Sequence, residues 1–195
     1  MARKLNPQKR TKYLDAALNQ FATHGVQNTS TAAIARQAGT AAGTLFLYFP
    51  TKQDLINELV MEVVKAQSNS IKAALTPTLS AQDSFCAVWE ASIRWFMANL
   101  EAYQYIQQIR DSGMIPDEII QQSNTYFDFY YTAIQKGLSE NAIKPYPVEL
   151  IGELLYRSII AIMNLVKTTS DVAQQEEYIH AGFEIFWNGI KKDDI

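Results

Sequence analysis

The chain has 195 residues, 48% hydrophobic and 11% aromatic, enough for one substantial domain, or a small one joined to a larger one, with a real core. No run of about 18 apolar residues is present to span a bilayer. The single cysteine, Cys86, excludes an intrachain disulfide, and two distant histidines, His24 and His180, exclude zinc spacings. The formal net charge is −3, yet residues 1–52 hold seven cations (Arg3, Lys4, Lys9, Arg10, Lys12, Arg36 and Lys52) against Asp15 alone, which is +6 and leaves −9 for residues 53–195. Such a split suits a basic portion that meets phosphates and an acidic portion that stays soluble.

The first ten residues are basic in the manner of a signal peptide but lack the apolar stretch that should follow, so a cytoplasmic location is expected. Asn6 and Pro7 open a first helix, Asn as cap and Pro at a position whose N–H would go unpaired anyway. Leu14, Ala17, Leu18 and Phe21 recur at i, i+3, i+4 and i+7, so one stripe is buried, and Gly25 ends the helix. Residues 1–5 precede it as an arm. Its Arg3 and Lys4 suit either a nucleic-acid backbone or minor groove or a solvated tail.

Thr29, Ser30 or Thr31 caps a second helix, whose buried face is Ile34, Ala35 and Ala38. Gly39 sits where the chain must turn sharply, a position that favours a residue tolerating positive φ. A third helix is expected from about Thr40 or Ala41 to Tyr48. Ala35, four residues before Gly39, and Leu45, six after it, put a methyl-sized residue against an apolar one where two short helices cross, the spacing of a helix-turn-helix.

Thr51 and Asp54 form a capping box that starts a long fourth helix, with Leu55, Leu59, Val63 and Ala66 along one side, ending near Ala74 before Thr76 and Pro77. Ser80, with Asp83 at the third helical position, starts a fifth that carries Phe85, Trp89, Ile93 and Phe96 to about Asn99. A sixth covers about Glu101 to Asp111 and breaks at Ser112 and Gly113. Pro116 starts a seventh, rich in rings, that ends between Gly137 and Asn141. The eighth, about Val148 to Thr168, is apolar on two lines: Ile151, Leu155, Ile159, Ile162 and Val166 on one, Leu154, Ala161 and Leu165 on the other. The ninth, about Asp171 to Ile190, repeats the habit, and helices so widely apolar need two surfaces to pack against. No strand pattern or repeat is present, so the expected fold is all-α with about nine helices. Cys86 reads as a small core residue. The acid pairs Glu176-Glu177 and Asp193-Asp194 read as solvated faces.

The residues from Ala16 to Gly25, the Ile34-Ala35 and Ala38-Gly39 pairs, Gly43-Thr44-Leu45, Tyr48-Phe49 and Lys52 together resemble the TetR family of transcriptional regulators. The match covers roughly the first quarter of the chain. It implies a DNA-binding helix-turn-helix domain over residues 1–50 and a ligand-binding and dimerisation domain over 51–195. By analogy Lys52 is a phosphate ligand, Thr31, Thr44 and Tyr48 offer it hydroxyls, and Gly43 lets backbone approach backbone. The chain departs from many relatives at Ala41, Ala42, Phe46 and Leu47. Only Thr40, Thr44 and Tyr48 are left to bond base edges, whereas Ala42 and Leu47 suit thymine methyls.

The resemblance also implies a palindromic operator in double-stranded DNA, a homodimer, and release from DNA by a small lipophilic or aromatic effector. Trp89, Ile93, Phe96, Tyr103, Tyr126, Phe127, Tyr130 and Tyr156 are candidates for the effector site, with Arg94 or Asn164 as polar groups, although each ring also suits a plain core position. In the family the last two helices form a four-helix bundle with their copies across a twofold axis. That places Leu155, Ile159, Ile162 and Val166, or the opposite line of the same helix, in the seam with Phe183, Phe186 and Ile190. Rival readings are a regulator without a small ligand, controlled by a partner protein or acting as an activator, and an all-α enzyme. No Ser-His-Asp or Cys-His set, phosphate loop or metal cluster supports the latter, and no cofactor is expected.

Overall fold

The computed structural model describes residues 5–110 and 112–192. Among these residues all regular structure is helical: α1 (Pro7–His24), α2 (Thr31–Gln37), α3 (Ala42–Leu45), α4 (Lys52–Lys72), α5 (Ala81–Ala98), α6 (Leu100–Ile109), α7 (Asp117–Asn124), a 3-10 turn (Thr125–Phe127), α8 (Asp128–Ser139), α9 (Val148–Val166) and α10 (Val172–Ile190). Taken as one run, α7, the turn and α8 make the expected seventh helix, so the all-α fold of about nine helices is found. Ser123, Asn124 and Thr125 sit at the break, where short polar side chains compete for backbone bonds. The Ser123 hydroxyl donates to the Ile120 carbonyl at 2.8 Å. The arm residues Arg3 and Lys4, and Asp193-Asp194, lie outside the described residues.

The chain forms two compact units. The first comprises residues 1–65 and 99–123, the second 66–98 and 124–195. In the first, α1 packs against α2 and α6, and α2 against α3. Tyr13, Ala17, Phe21, Ile34, Ala35, Leu45, Phe49, Leu55 and Tyr105 have no exposed surface. The stripe on α1 and the small residue at Ala35 thus serve the purpose their spacing implies. The boundary expected at residue 50 is drawn by function, from the resemblance. The packing draws its own line, with α6 and the first two-thirds of α4 in the same unit as the helix-turn-helix.

In the second unit α9 packs on α10, α5 and α8. Trp89 is its centre: fully buried, it donates its indole N–H to the Ile179 carbonyl at 2.9 Å and lies 6.0 and 6.1 Å from the rings of Phe183 and Phe186. Gly182 permits this approach. A Cβ there would lie 2.6 Å from Ile162 and 2.9 Å from Trp89. No helix among the described residues is long and apolar enough to cross a membrane.

Candidate nucleic-acid interface

Each element of the helix-turn-helix is shaped by local chemistry. The Asn6 side chain accepts from the Gln8 N–H at 2.9 Å and so caps α1. Gly25 closes the helix with φ 87°. Ser30 is the residue that caps α2, accepting from Ala33 N–H at 3.1 Å. Gly39 turns with φ 71°. α3 is shorter than expected. Bonds three residues apart, from Leu47 N–H to the Thr44 carbonyl and from Tyr48 N–H to the Leu45 carbonyl, tighten its end into turns. Leu45 is buried, while Ala41, Gly43, Phe46 and Leu47 face outward. A Cβ on Gly43 would meet nothing within 4 Å, so the surface there is open for another backbone.

The polar residues expected at this face divide sharply. Thr40 donates to the Ala35 carbonyl at 3.3 Å and shares a 2.8 Å bond with the Tyr13 hydroxyl, so it ties α1 to the α2–α3 turn. The Tyr48 ring lies tilted at 56° to that of Tyr13 with centroids 5.4 Å apart, and its oxygen accepts the Asn6 N–H at 3.1 Å, leaving its own hydrogen to donate. Thr31 and Thr44 are half-buried on the outer side. Arg10 is ion-paired with Glu58 and Glu62 of α4, so part of the basic excess is neutralised inside the unit. Lys9, Lys12 and Arg36 remain exposed.

Lys52 is less open than its position in the sequence implies. Its ammonium donates to the Val26 carbonyl at 2.6 Å and to the Gln27 carbonyl at 3.5 Å, and lies 5.9 Å from the Phe21 ring centroid. Burial lowers its pKa from the usual lysine value. Of its three hydrogens at most one is left for a phosphate. Replacing it by Met is expected to cost the first unit about 1–2 kcal/mol, the worth of a charged hydrogen bond in partly wet surroundings, measured by urea titration. An unchanged midpoint would show that water replaces the ammonium at no cost.

The same turn is held from α6. Gln108 donates to the Phe21 carbonyl at 3.0 Å and accepts the Val26 N–H at 3.1 Å, so one amide satisfies a helix-end carbonyl and the next free N–H. A second string runs from Gln20 to Gln37 at 2.6 Å, from Gln37 to Asn19 at 2.8 Å, and from Asn19 to Glu101 at 2.7 Å. Tyr105 stacks on Phe21 and donates to the Ile56 carbonyl at 3.0 Å, its hydroxyl pushed up in pKa by burial. Sequence reasoning missed Gln108, Tyr105 and Tyr13 as supports of the interface, because no periodicity marks contacts 27 to 87 residues away.

The residues expected around an effector fall in both units. Trp89, Ile93 and Phe96 are core of the second unit, and Tyr103 is buried in the first. Tyr126, Phe127, Tyr130 and Tyr156 are half-buried in the second. Phe127, Phe129 and Tyr130 form a ring cluster with centroids 4.8–5.9 Å apart, and the Ser92 hydroxyl lies 3.3 Å from that of Tyr130. Arg94 is not a cavity group: it forms a two-pronged pair with Glu176 at 2.9 and 3.0 Å, which raises the arginine pKa and lowers that of the glutamate. Glu176 is therefore paired rather than merely solvated, and Asn164 is exposed. Cys86 is half-buried rather than core. Burial, then Glu90, push its thiol pKa up. An open cleft of about 830 Å³, lined by Cys86, His180, Phe183, Trp187 and Lys191 among others, contains none of the effector candidates.

The expected seam residues are also placed differently. Leu155, Ile159, Val166, Phe183, Phe186 and Ile190 are buried within the chain, and Ile162 is half-buried against Gly182. The opposite line, Leu154, Ala161 and Leu165, is left exposed, Leu154 and Leu165 at 47 and 44%, and so are Leu150 beside it on α9 at 48% and Ile185 on α10 at 76%.

Residues 14–59 match the family model described as bacterial regulatory proteins, tetR family. The chain is 26% identical over 176 residues to the HTH-type transcriptional regulator YvdT of Bacillus subtilis, itself uncharacterised, covering 90% of this chain and 84% of that one. It superposes on a crystal structure from Shewanella sp. PV-4, assigned to the tetR family of transcription regulators, with TM-score 0.87 and 28% identity over 95% of this chain and 99% of that one. A second tetR family structure, from Marinobacter aquaeolei VT8, gives TM-score 0.83 at 21% identity, covering 95% and 96%.

Proposed function

Given that the chain belongs to the TetR family of transcriptional regulators, we propose that it is a cytoplasmic homodimeric repressor. It binds an inverted-repeat operator in double-stranded DNA and is released by a small lipophilic or aromatic effector. The observation that carries the DNA reading is the outward face of α3, held behind the Gly39 turn and open at Gly43. Thr31, Thr44, Tyr48 and Lys52 are the proposed phosphate ligands, since hydroxyls and ammonium groups position a protein on the duplex without reading sequence. Ala42 and Leu47 face the bases. Thr40, committed to Tyr13 and Ala35, orients α3 from behind.

The test is titration of labelled duplexes between about 50 and 200 mM salt, where loss of phosphate contacts appears as the slope of log K against log salt. Lys52→Ala is expected to weaken binding to all sequences alike and to reduce that slope by about one unit. Unchanged affinity and slope would take Lys52 out of the interface.

The half-buried cluster of Phe127, Phe129 and Tyr130 supports the effector reading, because these rings keep apolar surface that the fold has not closed. A panel of flat lipophilic compounds should contain members that raise the melting temperature and dissociate the DNA complex. Compounds that stabilise the protein yet leave the complex intact would remove release from the proposal.

A further inference from the structure

We infer that this regulator selects its DNA chiefly by the C5-methyl groups of pyrimidines in the major groove, read by Phe46 and Leu47. The inference rests on the DNA-binding reading above and names the chemistry of the site it prefers. Base pairs differ in the major groove by hydrogen-bonding groups and by the thymine methyl, so a reader needs either polar tips or apolar surface. The segment from Thr40 to Tyr48 has three hydroxyls. Thr40 is bonded at 2.8 Å to Tyr13 and at 3.3 Å to Ala35 behind α3, and Tyr48 is turned toward the Asn6 N–H at the start of α1. Thr44 and the one hydrogen left on Tyr48 are assigned above to phosphates, so few hydroxyls are left for base edges. Against them stand Leu47, 66% exposed, and Phe46, 44% exposed, beside Ala41 and Gly43.

Two large apolar side chains left in water just past α3 in a DNA-facing segment are not held there by the core, since Leu45 and Phe49 already fill it at zero exposure. Their apolar area is recovered only against an apolar partner, and on duplex DNA the partner of that shape is a methyl on C5. Thymine carries it, and 5-methylcytosine carries the same group.

The experiment uses the full chain and a duplex enriched from random sequence. Each thymine in the half-site is replaced singly by deoxyuridine, which removes only the methyl. At one or more positions affinity should fall about three- to tenfold, the scale of one buried methyl contact or two. In Leu47→Ala or Phe46→Ala, which remove exposed groups and leave the core intact, the thymine–uracil difference at that position should vanish. At the same position 5-methylcytosine paired with guanine should bind better than unmethylated cytosine by a similar factor. A wild type that binds the enriched duplex but ignores every replacement overturns methyl readout and leaves DNA binding standing. A chain that enriches no duplex overturns the underlying reading as well.

Discussion

Leu154→Glu combined with Ile185→Glu is expected to turn a dimer into folded monomers and to abolish operator binding at micromolar protein, although neither residue lies near α3 in the sequence. Both are exposed on the chain alone, at 47 and 76%, with Leu150 and Leu165 on the same line of α9 at 48 and 44%. Four large apolar residues are thus left in water on two helices that pack against each other, apolar surface of the kind that marks interaction sites where it is contiguous. In the proposed dimer a twofold axis makes residue i of one protomer meet residue j of its partner and j meet i, so every contact counts twice. Burying a side chain of this size is worth about 1.5–3 kcal/mol, enough in sum to outweigh an association cost of about 4–15 kcal/mol. Four carboxylates in such a seam cannot be paired and would have to be desolvated. The loss of DNA binding follows because two recognition segments about 34 Å apart must engage two half-sites together. Light scattering and DNA titration on the same sample decide it. A double variant that remains dimeric and DNA-competent puts the interface elsewhere. Because the substituted positions are exposed, circular dichroism should stay unchanged, which separates dissociation from unfolding.

Gly182→Ala is expected to destabilise the second unit by about 1–3 kcal/mol, the range for overpacking a filled core, even though alanine is the better helix former by about 1 kcal/mol. The new methyl would sit 2.6 Å from the Ile162 side chain and 2.9 Å from the Trp89 ring. The isoleucine tip can swing away, but the indole is held by its bond to the Ile179 carbonyl and by the Phe183 and Phe186 rings. Ile162→Ala alone should also destabilise, by leaving a cavity. Together the two changes should cost less than the sum of their separate costs, since one supplies volume that the other removes. Urea titrations of the four proteins measure the coupling. Strict additivity would mean that α10 moves bodily away from α9 instead.

Arg94 and Glu176 add a smaller, pH-dependent contribution. The glutamate pKa is lowered by its bond to Arg94, so this stabilisation is present above the ordinary carboxylate pKa and is lost as pH falls through the lowered one. Both side chains are about half exposed, and screening keeps the effect small.

Much of this protein is legible from its sequence, for a local reason. Caps at Asn6, Ser30 and Ser80, the capping box of Thr51 and Asp54, and positive φ at Gly25 and Gly39 each involve residues within about four positions of one another. Side-chain type alone sets such geometry. Hydrophobic periodicity then finds the buried stripes of α1 and α5, because a helix repeats every 3.6 residues whatever it packs on. The all-α class and the helix-turn-helix spacing follow from these, while the family resemblance rests on the motif residues between Ala16 and Lys52.

Tertiary structure decided what depends on which neighbour arrives. Both apolar lines of α9 read alike, and only the arrival of α5, α8 and α10 shows that Leu155, Ile159 and Val166 are spent on the chain's own core while Leu150, Leu154 and Leu165 are left over. Lys52 reads as an open cation until the α1–α2 turn brings the Val26 carbonyl to 2.6 Å. Thr40 reads as a base donor until Tyr13, 27 residues earlier, takes its hydroxyl. Gln108 carries no sign that it would hold a turn 82 residues away. A side chain's chemistry is written in the sequence, but its unspent bonding capacity is a property of the packed unit.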